Sequence, residues 1–260
     1  MIPLKPVWNA YAAWAWEVSR RHPKYIKLYN SLVDKGLETV KLGDGTLKII
    51  ASRSYPELEK WGLSLPANPA YDAHKANVFW HPNVFKSVMR FHIVDAQNVD
   101  DKSQYIKLSD YSAARTHFKG ADGSYHIRLM GENFWFQMQC DDIDLNDENV
   151  LIGVEFNRIS DMEKRAKTAS ELFGIYDGSL SKSAPLHLPK RVDLNQICMI
   201  AYDVREAGGT WKDVMIAIFG KEIIENSGDD YEKYWQTSRN AYTRAKRYIY
   251  GDFLKILDNN

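Results

Sequence analysis

The stretch Tyr231–Gly251 constrains the fold most, because its side chains divide into two opposed sets when wound as a helix. Tyr234, Ser238, Ala241, Tyr242, Ala245, Tyr248 and Ile249 fall on one side. Arg239, Thr243, Lys246 and Arg247 fall opposite, with Gln236, Asn240 and Arg244 beside them. From Lys233 to Gly251 there are five basic residues and no acidic one. Such a helix must bury its first face on neighbouring elements and present its second outward. A basic, amide-bearing outward face can neutralise phosphates and reach base edges, so the helix is expected to contact double-stranded DNA. Lys233, Arg239, Lys246 and Arg247 are the expected phosphate ligands. Asn240, Thr243 and Arg244 are the candidates for base contacts.

The residues before it supply partners for the buried face. Leu194, Ile197, Cys198, Ala201 and Tyr202 mark a helix that ends at Ala207-Gly208-Gly209. Thr210 then caps a short helix with Val214, Met215, Ile218 and Phe219 inward, stopped by Gly220. The connection Lys221–Asp230 is longer than the turn of a standard helix-turn-helix.

Upstream, Asn9–Arg21 reads as a helix ended by His22-Pro23. Tyr25, Ile26, Leu28, Tyr29 and Leu32 continue with helical period to Gly36, a candidate C-cap. Residues 37–52 read as a hairpin and Tyr55–Trp61 as a short helix. Prolines 66, 69 and 82 punctuate an irregular segment. Alternation at 91–94, 113–118, 125–130 and 134–140, with Gly-containing turns between the last three, predicts a β-rich middle. Val150–Phe156 fits strand or helix. Ser160–Phe173 has helical period, and Gly178–Pro189 reads as a linker. The expected class is α+β: a helical and hairpin region over 1–90, a central antiparallel sheet with a closing helix over 91–177, and a C-terminal helix-turn-helix-like domain over 189–260.

Charge is neutral overall but unevenly placed. Residues 1–91 carry a net +6, 92–163 a net −8, 164–189 a net +2, and 190–260 none. Segregated charge suits oriented contacts, to DNA or between subunits. The two cysteines, Cys140 and Cys198, fit a reducing compartment without disulfides. No signal-peptide pattern or membrane-length apolar run occurs, so a cytoplasmic location without membrane contact is expected.

Other chemistry is weakly signalled. In the acidic run at 141–149 a calcium loop starting at Asp142 would need glycine where Asp147 stands and glutamate where Gly153 stands. The histidines lack metal-ligand spacing, and His92, His117 and His126 read as satisfied histidines on sheet faces. No nucleophile motif or phosphate loop appears. No metal, no cofactor and no enzymatic activity are expected. In the N-terminal helix Trp14 and Trp16 point about 200° apart, so one of them is expected to be exposed, or to bury against another domain or against another subunit at an oligomer interface.

Two stretches carry a family resemblance: AYAAWAWEVSRRHPKY and WGLSLPANPAYDAHKANVFWHPNV. Trp14, Trp16, Glu17, Arg20, Arg21, Pro23, Tyr25, Trp61, Gly62, Leu63, Pro66, Pro69, Phe79, Trp80 and Pro82 match the N-terminal pattern of proteobacterial regulators carried on integrative and conjugative elements and near secretion genes. The Ala201–Thr210 turn, Ile218–Gly220 and the basic last helix resemble that family's helix-turn-helix domain. The matches cover most of the chain except the central sheet. The size and three-part layout are most similar to the RovC-like branch. The resemblance implies a DNA-binding activator of type VI secretion or mobile-element genes, acting as a homohexamer on promoter DNA, with RNA polymerase as a candidate partner. On physical grounds alone a homo-oligomer is expected, since one helix reads only a few base pairs. The competing reading is a protein-assembly or adaptor protein that does not touch DNA.

Overall fold

The computed structural model describes residues 11–33, 35–42, 46–85, 88–95, 114–130, 135–140, 150–154 and 192–258. Helix α1 (Tyr11–Ser19) and helix α2 (Pro23–Leu32) meet at a sharp corner. His22 makes that corner: its backbone is extended and its Nδ1 accepts the Lys24 N–H at 3.1 Å, while Pro23 occupies the first turn of α2, where no N–H is required. Gly36 is left-handed, as a cap would be, but α2 ends earlier, at Val33; the Gly36 carbonyl instead receives the Ser52 N–H.

Strands β1 (Leu37–Lys41) and β2 (Leu47–Ala51) form the expected hairpin. A short 3₁₀ helix, Pro56–Trp61, follows and ends at Gly62 with φ +67°. A Cβ on Gly62 would approach Val84 and Leu254 at 2.9 and 3.0 Å, so both the backbone and the packing require glycine. The remaining strands are β3 (Met89–Asp95), β4 (Ala114–Lys119), β5 (Tyr125–Met130), β6 (Trp135–Cys140) and β7 (Val150–Val154). The last of these resolves the ambiguous apolar run as a strand.

The seven strands run in the order β1-β2-β4-β5-β6-β3-β7. This is an α+β protein, but its sheet is mixed rather than antiparallel throughout. β2 lies parallel to β4, and β3 parallel to β6 through only two residue pairs. Hairpin turns announce antiparallel neighbours; pairing of β2 with β4 spans a long connection and leaves no local mark. The N-terminal hairpin is thus part of the central sheet, and a boundary drawn at residue 90 passes through one hydrogen-bonded layer.

The irregular segment 63–85 mortars this sheet to α1 and α2. Its apolar residues Leu63, Leu65, Val78, Phe79 and Trp80 are fully buried. Buried backbone groups there must be paired, and side chains reach across to pair them. Tyr25 Oη donates to the Ala67 carbonyl at 2.6 Å and accepts its N–H at 3.1 Å. Trp16 Nε1 donates to the Tyr71 carbonyl and an Arg20 N–H to that of Pro69, both at 3.1 Å. From the sheet, Gln137 brackets the Trp80 peptide, accepting its N–H and donating to its carbonyl. Arg128, buried to 3% exposure, donates to the Ala76 carbonyl. Burial brings its guanidinium down to about 10.

Trp14 and Trp16 are both buried within the chain, at 3% and 0% exposure, so neither is open to a partner subunit and, of the alternatives, burial against another domain is the one that occurs. Helix α1 is enclosed on all sides. Trp16 packs edge-on against Tyr25, and Trp14 edge-on against Tyr248 from the far end of the chain. The acidic run at 141–149, the helical pattern at 160–173 and the linker at 178–189 lie outside the described residues.

Candidate nucleic-acid interface

Five helices and their joints build the described part of the C-terminal region. Helix α3 (Val192–Glu206) ends at Gly208, whose φ is +86°. Helix α4 (Trp211–Phe219) starts with a reciprocal capping box: Thr210 Oγ1 accepts the Asp213 N–H, and Asp213 accepts the Thr210 N–H. The long connection is itself ordered. It contains helix α5 (Lys221–Glu225) and a 3₁₀ turn at Gly228–Asp230, which lead into helix α6 (Tyr231–Arg247). α3, α4 and α6 pack on one another.

The division of α6 into two faces is as the wheel predicts. Ser238, Ala241, Ala245 and, just beyond the helix, Ile249 are buried, while Tyr234, Tyr242 and Tyr248 are half-buried. Small residues at 238, 241 and 245 let α3 approach closely. Lys233, Arg239, Asn240, Thr243, Arg244, Lys246 and Arg247 are all exposed, so the structure brings every candidate DNA ligand to one solvent-facing surface. Among the described residues none of the five cations makes an ion pair.

Two of the cations are oriented by aromatic rings. Arg239 lies 4.6 Å over the Trp235 ring and Lys246 5.6 Å over that of Tyr242. Tyr242 is itself fixed, its hydroxyl donating to Glu206 at 3.0 Å and its ring stacked on Tyr202. Trp235 is not among the residues expected at this face, although its spacing of four from Arg239 on a helix is the signal for the contact. Arg244 stands at the edge nearest α3, where its charge is felt by the buried Cys198. Burial pushes that thiol up to about 11, and Arg244 partly opposes the rise.

Helix α6 is held firmly at its C-terminal end. The chain widens into a π-helical turn, Tyr248–Asp252, before helix α7 (Lys255–Asp258). Tyr248 meets Trp14, Tyr250 meets His22, and Phe253 stacks on Trp61 at 5.4 Å. A charged latch adds to this. Arg21 forms a two-pronged ion pair with Asp203 of α3, both contacts at 2.7 Å, and also donates to the buried Glu17 at 2.7 Å. Burial lowers the Arg21 pKa, but Asp203 and Glu17 outweigh it, and the guanidinium ends above its ordinary value. Trp14, Arg21 and Trp61, three of the residues that carry the resemblance, are therefore fasteners: they hold the C-terminal helices in place rather than extend the basic surface.

His117 and His126 lie on the sheet, as expected. His117 Nδ1 bonds Tyr125 Oη at 3.0 Å. His126 bonds Ser124 Oγ through Nε2 at 3.2 Å, but its buried Nδ1 has no partner, so it is only half satisfied. No group of three or more metal-binding side chains occurs among the described residues, and no helix there is long and apolar enough to cross a membrane. The sequence matches no protein-family model and no curated protein.

Proposed function

We propose that this chain is a sequence-specific DNA-binding transcriptional activator, with the exposed face of α6 as its DNA-contacting surface. One observation carries the reading: five cations and the polar side chains of Gln236, Asn240 and Thr243 share a face of α6 whose one acid, Glu232 in the first turn, is bonded to Gln236 and to none of the cations, on a helix anchored along its other face. Cations without internal partners keep their full charge for phosphates. An anchored helix also loses little freedom on binding, which favours contact with a rigid duplex. On this reading α4 braces α6 from behind, and Lys233, Arg239, Lys246 and Arg247 set register on the backbone while Asn240, Thr243 and Arg244 read bases.

The regulated genes, on the family resemblance, belong to a type VI secretion system or a mobile element, and the active form is a homohexamer. Its contacts must come from surfaces other than Trp14 and Trp16, which the chain buries within itself. The net-positive N-terminal third and net-negative middle remain candidates for a head-to-tail contact.

Titration of a labelled promoter duplex at two salt concentrations tests the DNA reading. Binding whose logarithm falls steeply and linearly with that of salt is expected. No binding at low salt would leave the assembly-protein reading in its place. Light scattering that shows only a monomer, with and without DNA, would remove the oligomer.

A further inference from the structure

A cavity of about 420 Å³ opens between the sheet and the Pro56–Trp61 helix, well away from the basic face of α6. That volume lies within the range of small-molecule sites, roughly 300–1,000 Å³. Its floor is a row of side chains across three adjacent strands. Phe118 of β4 pairs with His126 of β5, which pairs with Gln139 of β6, so all three stand on one face. The Phe118 and His126 rings stack at 5.3 Å. Ser64 and Tyr55 belong to the opposite walls.

Three residues that line this cavity each carry a buried polar atom without a hydrogen-bond partner: His126 Nδ1, Gln139 Oε1 and Ser64 Oγ. His126 itself is only 3% exposed. Unpaired polar atoms at such depth cost free energy unless something supplies their bonds. Their chemistry can be read from the neighbouring bonds. Ser124 Oγ gives its one proton to Asp122 Oδ1 at 2.6 Å, so towards His126 it can only accept. Nε2 of His126 therefore carries the ring's proton, and Nδ1 offers a lone pair. The same order of donation shows that Ser124 is not an activated nucleophile, because the histidine donates to the hydroxyl instead of receiving its proton. Gln139 Oε1 is a second acceptor beside the first, and the Ser64 hydroxyl can donate or accept.

The floor thus asks for a molecule that brings donors. It does not ask for charge. An anion would face the lone pairs of His126 and Gln139, and the cation at the rim, Arg53, is already bonded to Glu57 at 2.8 Å and stacked on Tyr55 at 4.8 Å. An ammonium would find Asp122 Oδ1 already accepting the Ser124 N–H and hydroxyl, and both Asp122 and Glu59 exposed to water, where an ion pair gains little. Hydroxyl groups both donate and accept, and a sugar-like ring has an apolar face to lay on Phe118 or Tyr55.

We propose that this cavity is a binding site for a small uncharged polyhydroxyl molecule of monosaccharide size, held by His126 Nδ1, Gln139 Oε1 and Ser64 Oγ.

Saturation-transfer NMR on the full chain tests this with D-glucose, D-galactose, D-ribose and myo-inositol as probes, and glucose 6-phosphate and glucosamine as charged comparators. Transfer to at least one neutral probe is expected, with affinity about tenfold weaker in Gln139→Leu, the loss of about one hydrogen bond in a dry site. Gln139 is half-buried, so this variant should keep the parent's unfolding curve even if His126→Phe does not. Silence from every neutral probe would mean that water alone fills the cavity and would overturn the proposal. Transfer undiminished in Gln139→Leu, or stronger for a charged comparator than for its neutral parent, would overturn it equally. None of these readouts involves DNA, so they stand or fall apart from the regulatory reading.

Discussion

Arg20-Arg21 and Lys246-Arg247 are both basic doublets at the end of a helix, yet they do opposite things. Arg20 and Arg21 are drawn inward: both donate to Glu17, which is 1% exposed, and Arg21 reaches across to Asp203. Lys246 and Arg247 point to solvent with no ion pair among the described residues. What separates the doublets is the supply of carboxylates. Glu17 stands three and four residues before the first pair, on the same helical face, and also accepts the buried Ala73 N–H at 3.0 Å. The second pair lies in a stretch with no acid at all. A cation with an acid one turn earlier fastens the fold; a cation without one keeps its charge for an external anion, even where a ring lies beneath it, as Tyr242 does under Lys246.

The largest effect should come from breaking the fastener. Glu17→Ala strips two guanidinium groups and a backbone N–H of their shared acceptor in a buried setting. Loss of one partner of a buried ion pair costs about 3–5 kcal/mol. Urea unfolding should show a loss of that order, whereas Arg247→Ala should stay within about 0.5 kcal/mol of the parent. Similar losses in the two variants would erase the contrast between the doublets.

The converse experiment reads DNA affinity. Arg239→Ala combined with Arg247→Ala should weaken promoter binding and reduce the slope of log affinity against log salt by about two, since each lost phosphate contact retains roughly one counterion. The fold should be unaffected, because both side chains are exposed. An unchanged slope would take α6 out of the mechanism and leave the doublet's exposure without a purpose.

Burial also separates His126 from exposed imidazoles. Desolvation, reinforced by His81 and opposed by Asp122, brings it down to about 4 from the ordinary 6.5. The folded state therefore resists protonation more than the unfolded chain does. Stability contributed by neutral His126 is intact above pH 6.5, is lost as pH falls towards about 4, and levels off below that. Melting temperature measured across this window should fall in the parent and fall less in His126→Gln. Parallel profiles would place the acid sensitivity elsewhere.

Local pattern carried much of this into view, and long-range pairing limited the rest. The two-sided character of α6, the glycine stop after α3 and the Thr210 cap were legible because each is a relation within about four residues. β5 was legible for the same reason: its alternation lies between clear turns. The parallel pairing of β2 with β4 was not, because nothing within either strand names a partner so distant in the chain. Trp14 and Trp16 misled because the wheel assumes one covered side, and α1 is covered on all of them. The cavity was hidden for a related reason: the row Phe118, His126, Gln139 exists only once strand register is set. His126 read alone is an ordinary sheet histidine.

The smallest expected effect bears most directly on how the free cations are held. Arg239 has no carboxylate, but its guanidinium lies 4.6 Å over the half-buried Trp235 ring. The ring does for Arg239 what Glu17 does for Arg21, fixing its direction, without neutralising it. A cation–π contact at an exposed site is worth about 0.5–1 kcal/mol. Trp235→Ala should therefore weaken promoter binding by only about two- to fivefold, through a less ordered arginine, while leaving the salt slope unchanged because the charge is still present. Trp235→Phe should recover part of the loss. A salt slope that falls by about one in Trp235→Ala would mean that the ring does more than orient, and that Arg239 cannot reach its phosphate without it.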